Sequence, residues 1–139
     1  MYSTANEFTG CKLAYIFKGK LLVYRRDNKA GLIFPDLWDF PGGGREGDET
    51  PEQCVLRELQ EEFSIKMPVS RLVYKTYLAN HLCTGMSYFF VVSGSQVEIE
   101  NIVFGDEGQY WQLMDIEEFL KREDVIPMLK LRLLRFFRY

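Results

Sequence analysis

The chain lacks the features of several protein classes. No apolar run approaches the ~20 residues of a membrane span, so we expect no membrane partner. Residues 1–10 lack the basic-then-apolar order of a signal peptide, which favours a cytoplasmic protein. A net charge of −3 argues against general nucleic-acid binding, because such binding normally shows as a basic excess.

Histidine and cysteine are also scarce. His81 is the single histidine, and Cys11, Cys54 and Cys83 lie far apart with no C-x-x-C pair. This argues against zinc, which usually needs several of these residues at close spacing. We expect free thiols in a reducing compartment, and loop or core positions without a functional role for His81 and Cys83.

The composition that is present fits one folded unit. The 139 residues are 47% hydrophobic and 15% aromatic, without an internal repeat or a linker. A chain of this length buries about two-thirds of its unfolded surface. We therefore expect one domain over residues 1–139.

The order of apolar runs and turn signals predicts interleaved strands and helices. A turn at 18–20 predicts a hairpin of the first two strands, and residues 27–37 and 96–108 are expected to be loops, the second with some extended structure. Helices are expected from Thr50, over 116–121 with Asp115 as its cap, and from Pro127 to Phe136. Strands are expected at 13–17, 21–25, 38–40, 71–79, 87–93 and 109–113. This pattern predicts an α+β fold, an α/β/α sandwich in which helices flank a mixed sheet.

The central helix has a strong start signal and an apolar stripe. Thr50, Pro51 and Gln53 have the spacing of a capping box with proline at the first helical position. The stripe that should pack on the sheet consists of Val55, Leu56, Leu59 and Phe63.

The same helix carries a cluster of carboxylates. Glu58, Glu61 and Glu62 lie at i, i+3 and i+4, on one side of the helix. They repel one another unless a cation lies among them, and Mg²⁺ is a hard ion that prefers oxygen ligands and works with phosphates. The preceding run P-G-G-G lets the backbone approach a metal or phosphate closely. Taken separately, these features also fit a solvated helix face and a tight turn.

Together these residues resemble the Nudix box, G-x5-E-x7-R-E-U-x-E-E-x-G-U, where U is aliphatic. Gly43 is followed by Glu49 and then by R-E-L-Q-E-E over residues 57–62. The preceding W-D-F-P-G-G is similar to the approach to the box in MutT-like Nudix pyrophosphohydrolases. The box covers residues 43–65 and departs from the pattern at Ser64, where the family has glycine. A left-handed backbone there would cost serine on the order of 1 kcal/mol.

The resemblance implies a Nudix fold and hydrolysis of a nucleoside diphosphate linked to another group, with Mg²⁺ or Mn²⁺. By the same resemblance, the metal is held by Glu58, Glu61 and Glu62 with the Gly42 carbonyl. The implied catalytic group is Glu58, Glu61, Arg57 and Glu49. Within it Glu58 is the first choice for activating water, and Arg57 orients the carboxylates through Glu49.

Residues outside the helix extend the implied site. Glu107, in G-D-E-G-Q, resembles a carboxylate that MutT-like members add to the metal site, although a polar turn is the alternative. Arg26, and less strongly Arg25, is expected on the substrate phosphates, with surface arginines as the alternative. Phe40 and Asp124 lie where MutT-like enzymes hold the base, although Phe40 also fits the core. Gly43 completes the substrate-binding group. The basic tail is interpreted as a solvated helix face rather than an RNA contact: Lys130, Arg132, Arg135 and Arg138.

The substrate is predicted from residues downstream of the box. Residues 80–84 show neither the proline of ADP-ribose hydrolases nor the tyrosine of dinucleoside polyphosphate hydrolases. This favours a nucleoside triphosphate, 8-oxo-dGTP among others, cleaved to monophosphate and pyrophosphate. A nucleotide-sugar or other dinucleotide pyrophosphatase is the enzymatic alternative, and a nucleotide-binding module without activity is the alternative of another class. The sequence is compatible with a homodimer.

Overall fold

The computed structural model describes residues 7–80 and 84–139, so the expectations for His81 and Cys83 lie outside the described residues. The helices are α1 Pro51–Phe63, α2 Gln96–Glu100, α3 Ile116–Lys121 and α4 Leu129–Arg138, with a short 3₁₀ turn at Val69–Arg71. The strands are β1 Gly10–Phe17, β2 Lys20–Arg25, β3 Trp38–Asp39, β4 Gly42–Gly44, β5 Leu72–Ala79, β6 Met86–Ser93 and β7 Tyr110–Asp115.

All of these strands form one mixed sheet. Its main order is β3-β2-β1-β6-β5, with β4 paired to β1 and β7 paired to β2. β1 and β6 are parallel, whereas the other pairs are antiparallel. The glycines of the P-G-G-G run are therefore strand rather than turn, because Gly42–Gly44 form β4, which pairs with β1 next to the start of that strand.

The central strands are buried on both faces, and side-chain alternation divides them between two cores. Leu13 and Tyr15 of β1 join the core under α1, to which the helix contributes Cys54, Val55, Leu59 and Phe63. Ala14 points to the other core, which includes Phe119 of α3 and Leu129 and Leu133 of α4. The sheet therefore lies between helices, and the predicted α/β/α sandwich is confirmed.

The predicted start of α1 is confirmed. The Thr50 side chain accepts from the Gln53 N–H at 3.1 Å, and the Gln53 side chain accepts from the Thr50 N–H at 2.9 Å. The helix ends at Ser64, which has φ 57° and ψ 32° and donates its N–H to Gln60. Ser64, at the position where the family has glycine, therefore adopts a left-handed backbone conformation.

Three local predictions are wrong. Residues 96–100 form α2 instead of loop, because Ser95 caps the helix by accepting from the Glu98 N–H. Asp115 makes no side-chain cap to α3. The last helix begins at Leu129 rather than Pro127, since Met128 has φ 78° and interrupts the helical backbone.

Two further expectations concern the thiols and the membrane. Cys11 and Cys54 are buried free thiols, with their sulfur atoms 3.3 Å apart. Within residues 7–80 and 84–139, none of the helices has both the length and the apolar character that crossing a membrane requires.

Candidate active site

Gly42 and Gly43 of β4 lie too close to their neighbours for side chains. Gly42 has φ 139°, and a Cβ there would lie 2.2 Å from the Cys11 carbonyl oxygen. A Cβ on Gly43 would lie 2.2 Å from Oε2 of Glu58. Because these glycines have no side chains, β4 can lie against the carboxylate face of α1. The Gly42 N–H donates to Oε1 of Glu62 at 2.9 Å.

The carboxylate face of α1 lines a small cavity, which we call the acidic pocket. Its volume is about 190 Å³. Its lining is Glu58, Glu61, Glu62, Gly105, Asp106 and Glu107. The structure thus brings Glu107 together with the three carboxylates of the helix. Asp106 was missed from the sequence, although it lies beside Glu107 in the same acidic turn.

Burial makes this pocket electrostatically unfavourable without a cation. Loss of solvent raises the pKa of Glu62 to about 8, and Lys12 counteracts only part of that effect. Burial also raises the pKa of Glu58, an effect that Arg57 counteracts. A divalent cation would favour the ionised carboxylates. The lining of carboxylate oxygens suits a hard ion such as Mg²⁺ or Mn²⁺.

The carboxylates of the acidic pocket accept hydrogen bonds from neighbouring groups and do not converge on one point. Within residues 7–80 and 84–139, no three acidic, histidine or cysteine side chains converge closely enough to hold a metal as they stand. Glu62 accepts from the Gly42 N–H, and Glu61 accepts from Arg57 Nη1 at 3.1 Å. The donor set fits the ion, but these side chains must turn to bind it.

Arg57 is the cation that organises this side of the helix. Its Nε donates to Glu49 at 2.6 Å, and its Nη1 lies 3.1 Å from Glu61 and 3.4 Å from Glu58. The hydrogen bond from Arg57 holds the pKa of Glu49 below its ordinary value. Arg57 is thus oriented by its hydrogen bond to Glu49 and faces three further carboxylates, those of Glu46, Glu58 and Glu61.

A larger cavity is lined in part by Gly43, and we call it the polar cavity. Its volume is about 440 Å³, within the range of small-molecule sites. Its lining includes Lys12, Arg26, Asp39, Gly43, Asn80 and Arg132. Because Gly43 also contacts Glu58, a ligand in the polar cavity could extend to the carboxylates.

Asp39 organises the wall of the polar cavity. Its side chain is 1% exposed and accepts from Lys12 at 2.8 Å, from Arg26 at 3.2 Å and from the Phe40 N–H at 2.8 Å. Two cations are thus fixed on one buried carboxylate. The sequence signal that could have found it is a charged residue inside the apolar W-D-F run.

Of Arg25 and Arg26, the two arginines expected on the phosphates, Arg26 is the one that lines the polar cavity. Besides Asp39, it donates to the Phe34 and Ile33 carbonyls at 2.9 and 3.0 Å. Arg25 instead pairs with Asp36 at 2.9 Å and with Asp124 at 2.8 Å.

Asp124 and Phe40 are not brought to the polar cavity as base-reading side chains. Asp124 is also paired with Arg122 at 2.8 Å, and these arginines, Arg122 foremost, hold its pKa well below the usual range. Phe40 is fully buried, with its ring stacked on Phe119 at 5.0 Å. The core interpretation of Phe40 therefore holds, since a buried ring has no surface on which a base could stack.

Comparisons with known proteins agree with this architecture. A family model of the NUDIX domain matches residues 13–133. The chain is 22% identical to the MutT protein of Methanosarcina mazei Go1, and their structures superpose with a TM-score of 0.74 over 93% of this chain and 91% of that one. This likeness shows the fold.

Two sequence relatives carry the same name. An 8-oxo-dGTP diphosphatase of Haemophilus influenzae is 31% identical over 64% of this chain and 64% of its own length. An 8-oxo-dGTP diphosphatase of Proteus vulgaris is 68% identical over 21% of this chain and 26% of its own length. The chain thus covers less than two thirds of both relatives. With its box residues gathered on α1 and the family model matched along most of its length, the chain belongs to the NUDIX domain family.

Proposed function

We propose that this chain hydrolyses a nucleoside triphosphate to the monophosphate and pyrophosphate, with Mg²⁺ or Mn²⁺. The observation that carries the proposal is the position of Gly43, which lines the polar cavity and lies against Glu58 of the acidic pocket. A phosphate chain at the carboxylates and a nucleoside in the larger space would fit this arrangement. The relatives named 8-oxo-dGTP diphosphatase support a triphosphate and make an oxidised purine one candidate.

The metal would be held by oxygen atoms of Glu58, Glu61, Glu62, Glu107 and the Gly42 carbonyl. When bound, it supplies charge neutralisation for the phosphates and lowers the pKa of water. Glu58 would accept the proton of the attacking water. Its position supports that role, because Glu58 lines the acidic pocket and lies against Gly43, which lines the polar cavity.

Arginines would hold the anionic partners in place. Arg57, oriented by Glu49, keeps Glu58 and Glu61 on one side of the helix. Arg26 would bind phosphate oxygens, since its position on Asp39 fixes the guanidinium at the wall of the cavity. A cytoplasmic location and a single domain remain expectations of this proposal.

Hydrolysis of a nucleotide sugar is the enzymatic alternative, and nucleotide binding without hydrolysis is the alternative of another class. Retention of Glu58, Glu61 and Glu62 disfavours the second. The test is a panel of nucleoside triphosphates, nucleotide sugars and dinucleoside polyphosphates, assayed for phosphate products with each metal. Cleavage of ADP-ribose while triphosphates stay inert would replace the proposed substrate.

The residues are tested with charge-neutral variants. Glu58→Gln removes the proposed general base, and Glu62→Gln removes a proposed metal ligand. Each variant is expected to lower kcat/KM by about 10²–10⁴-fold, the usual contribution of a general base. The matched control is Glu52→Gln, on the first turn of the same helix, where the carboxylate pairs with Lys75 at 2.7 Å. Hydrolysis that survives both site variants would refute the assignment of Glu58 and Glu62 to the reaction, and no hydrolysis by the wild-type chain with either metal would refute the enzyme proposal.

A further inference from the structure

Arg132 is a buried cation on the last helix. It lies between Leu129 and Leu133, which belong to the core, and is itself only 4% exposed. The interpretation of the whole basic tail as a solvated face is therefore wrong at this position, whereas Arg135 is exposed. The helical period explains the difference, since three residues separate Arg132 from Leu129 and place it on the buried side.

The Arg132 guanidinium is incompletely satisfied. Its Nη2 donates to the Ala79 carbonyl at 2.9 Å and lies 3.5 Å from the Ser87 hydroxyl. Its Nε is buried with no hydrogen-bond partner. In the described part of the chain, neither Nη1 nor Nε donates a hydrogen bond, and no carboxylate lies within ion-pair distance of Arg132.

The surroundings do not compensate for the charge. Burial lowers the pKa of Arg132, and Asp39 opposes this only from a distance. Asp39 is already paired with Lys12 and Arg26. A buried charge without an anionic partner is costly, so this arrangement favours a ligand that brings an acceptor.

Arg132 lies in the wall of the polar cavity, the space in which the proposed function puts the nucleoside. A guanidinium has only donors. A carbonyl oxygen of a base would accept from it, as guanine O6 does in the commonest specific arginine contact. An exocyclic amino group at the same ring position would instead present a second donor.

We propose that Arg132 is a specificity-determining residue that selects bases with a carbonyl oxygen over bases with an amino group at the same edge. The preferred class would include hypoxanthine, guanine, 8-oxoguanine, thymine and uracil, and adenine and cytosine would be disfavoured. This inference rests on the proposed function, because it assigns the nucleoside to the polar cavity.

The sharpest substrate pair is dITP and dATP, which differ at the purine 6-position by a carbonyl in place of an amino group. The wild-type chain is expected to prefer dITP by at least about tenfold in kcat/KM. Arg132→Met keeps a long side chain without donors. It is expected to lower kcat/KM for dITP by about ten- to a hundredfold, mainly through KM, and to change that for dATP by less than about threefold.

The control is Arg135→Met, an exposed arginine on the same helix, for which both substrates should retain wild-type constants. If circular dichroism shows that Arg132→Met does not fold, Arg132→Lys is tested in its place. It keeps the charge but not the planar fork, and a selective loss for dITP is expected. Equal losses for dITP and dATP would overturn the proposal and leave Arg132 a structural donor to Ala79 and Ser87.

A binding measurement separates this inference from the proposed hydrolysis. Calorimetric titration of dIMP and dAMP in EDTA needs no turnover. Tighter binding of dIMP that is lost in Arg132→Met supports the inference even if no triphosphate is cleaved. Equal affinities for the two monophosphates in the wild-type chain overturn it even if triphosphates are cleaved.

Discussion

At the scale of single residues, Glu62 links the acidic pocket to pH. Its pKa is raised from 4.5 to about 8, chiefly by burial. Between these two pH values the folded chain holds a proton that the unfolded chain has released. Stability from this group is therefore fully present below pH 4.5 and is lost as pH rises through about 8.

We predict that Glu62→Gln removes this loss. In EDTA, the free energy of unfolding of the wild-type chain should fall with pH above 5, by up to about 1.4 kcal/mol per pH unit. The variant should show a shallower fall, because the amide has no proton to release and still accepts from the Gly42 N–H. Urea unfolding at several pH values measures this. Exposed Glu117→Gln should keep the wild-type slope, and parallel slopes for all three proteins would contradict the prediction.

The carboxylates that the sequence proposed for the metal site and that the structure brings together share one property. Glu58, Glu61, Glu62 and Glu107 reach one pocket because local spacing or a short acidic turn places them. Asp39 and Arg132 were missed as functional candidates, because their burial depends on strands and helices distant in sequence. Ala79 and Ser87, for example, lie on β5 and β6 but contact Arg132 on α4. Such partners follow from tertiary packing and not from a local pattern.

At the scale of elements, β4 and α1 fit together only through glycine. The glycine at 43 has no side chain where the Glu58 carboxylate lies, whereas Gly44 has only the Thr9 carbonyl, at 3.9 Å, near its Cβ direction. An added side chain would therefore meet the Glu58 carboxylate at residue 43 and find room at residue 44.

We predict that Gly43→Ala displaces Glu58 and lowers kcat by about tenfold or more, since small displacements at a reacting group are costly. Gly44→Ala should cost far less, because a contact of 3.9 Å is ordinary van der Waals packing. Steady-state kinetics of the two variants, with melting temperatures as a check on folding, make the comparison. Equal losses of kcat would show that β4 tolerates no side chain generally and that Glu58 is not the affected group.

Elements differ in how far their ends were predictable. α1 has Thr50, Pro51 and Gln53 at its start, and each contributes to the observed cap. The start of α4 shifted by two residues because Met128 has a left-handed backbone, a conformation that no residue type in the run indicates. α2 was missed because its five residues are too few for a helical period to appear.

At the scale of the whole molecule, the sheet separates two cores, and the start of β1 lines the polar cavity with Gly10, Cys11 and Lys12. The core under α1 fixes the carboxylate helix, and the second core fixes α4 with Arg132. Both helices therefore stabilise the fold and position groups of the candidate site. A ligand of the acidic pocket should consequently stabilise the entire chain, since binding to the folded state alone raises its free energy of unfolding.

Mg²⁺ is the ligand with which this linkage can be measured. At pH 8.5, Mg²⁺ at about 100 times its dissociation constant should stabilise the wild-type chain by about 2.7 kcal/mol. For a domain of this size, that corresponds to an increase in melting temperature of roughly 5–15 °C. The increase should be smaller at pH 5.5, where Glu62 is protonated, and smaller in the double variant Glu58→Gln, Glu62→Gln. Calorimetry at matched ionic strength with NaCl separates ion binding from screening. Equal increases with NaCl and MgCl₂, or an undiminished increase in the double variant, would mean that these carboxylates do not hold the metal.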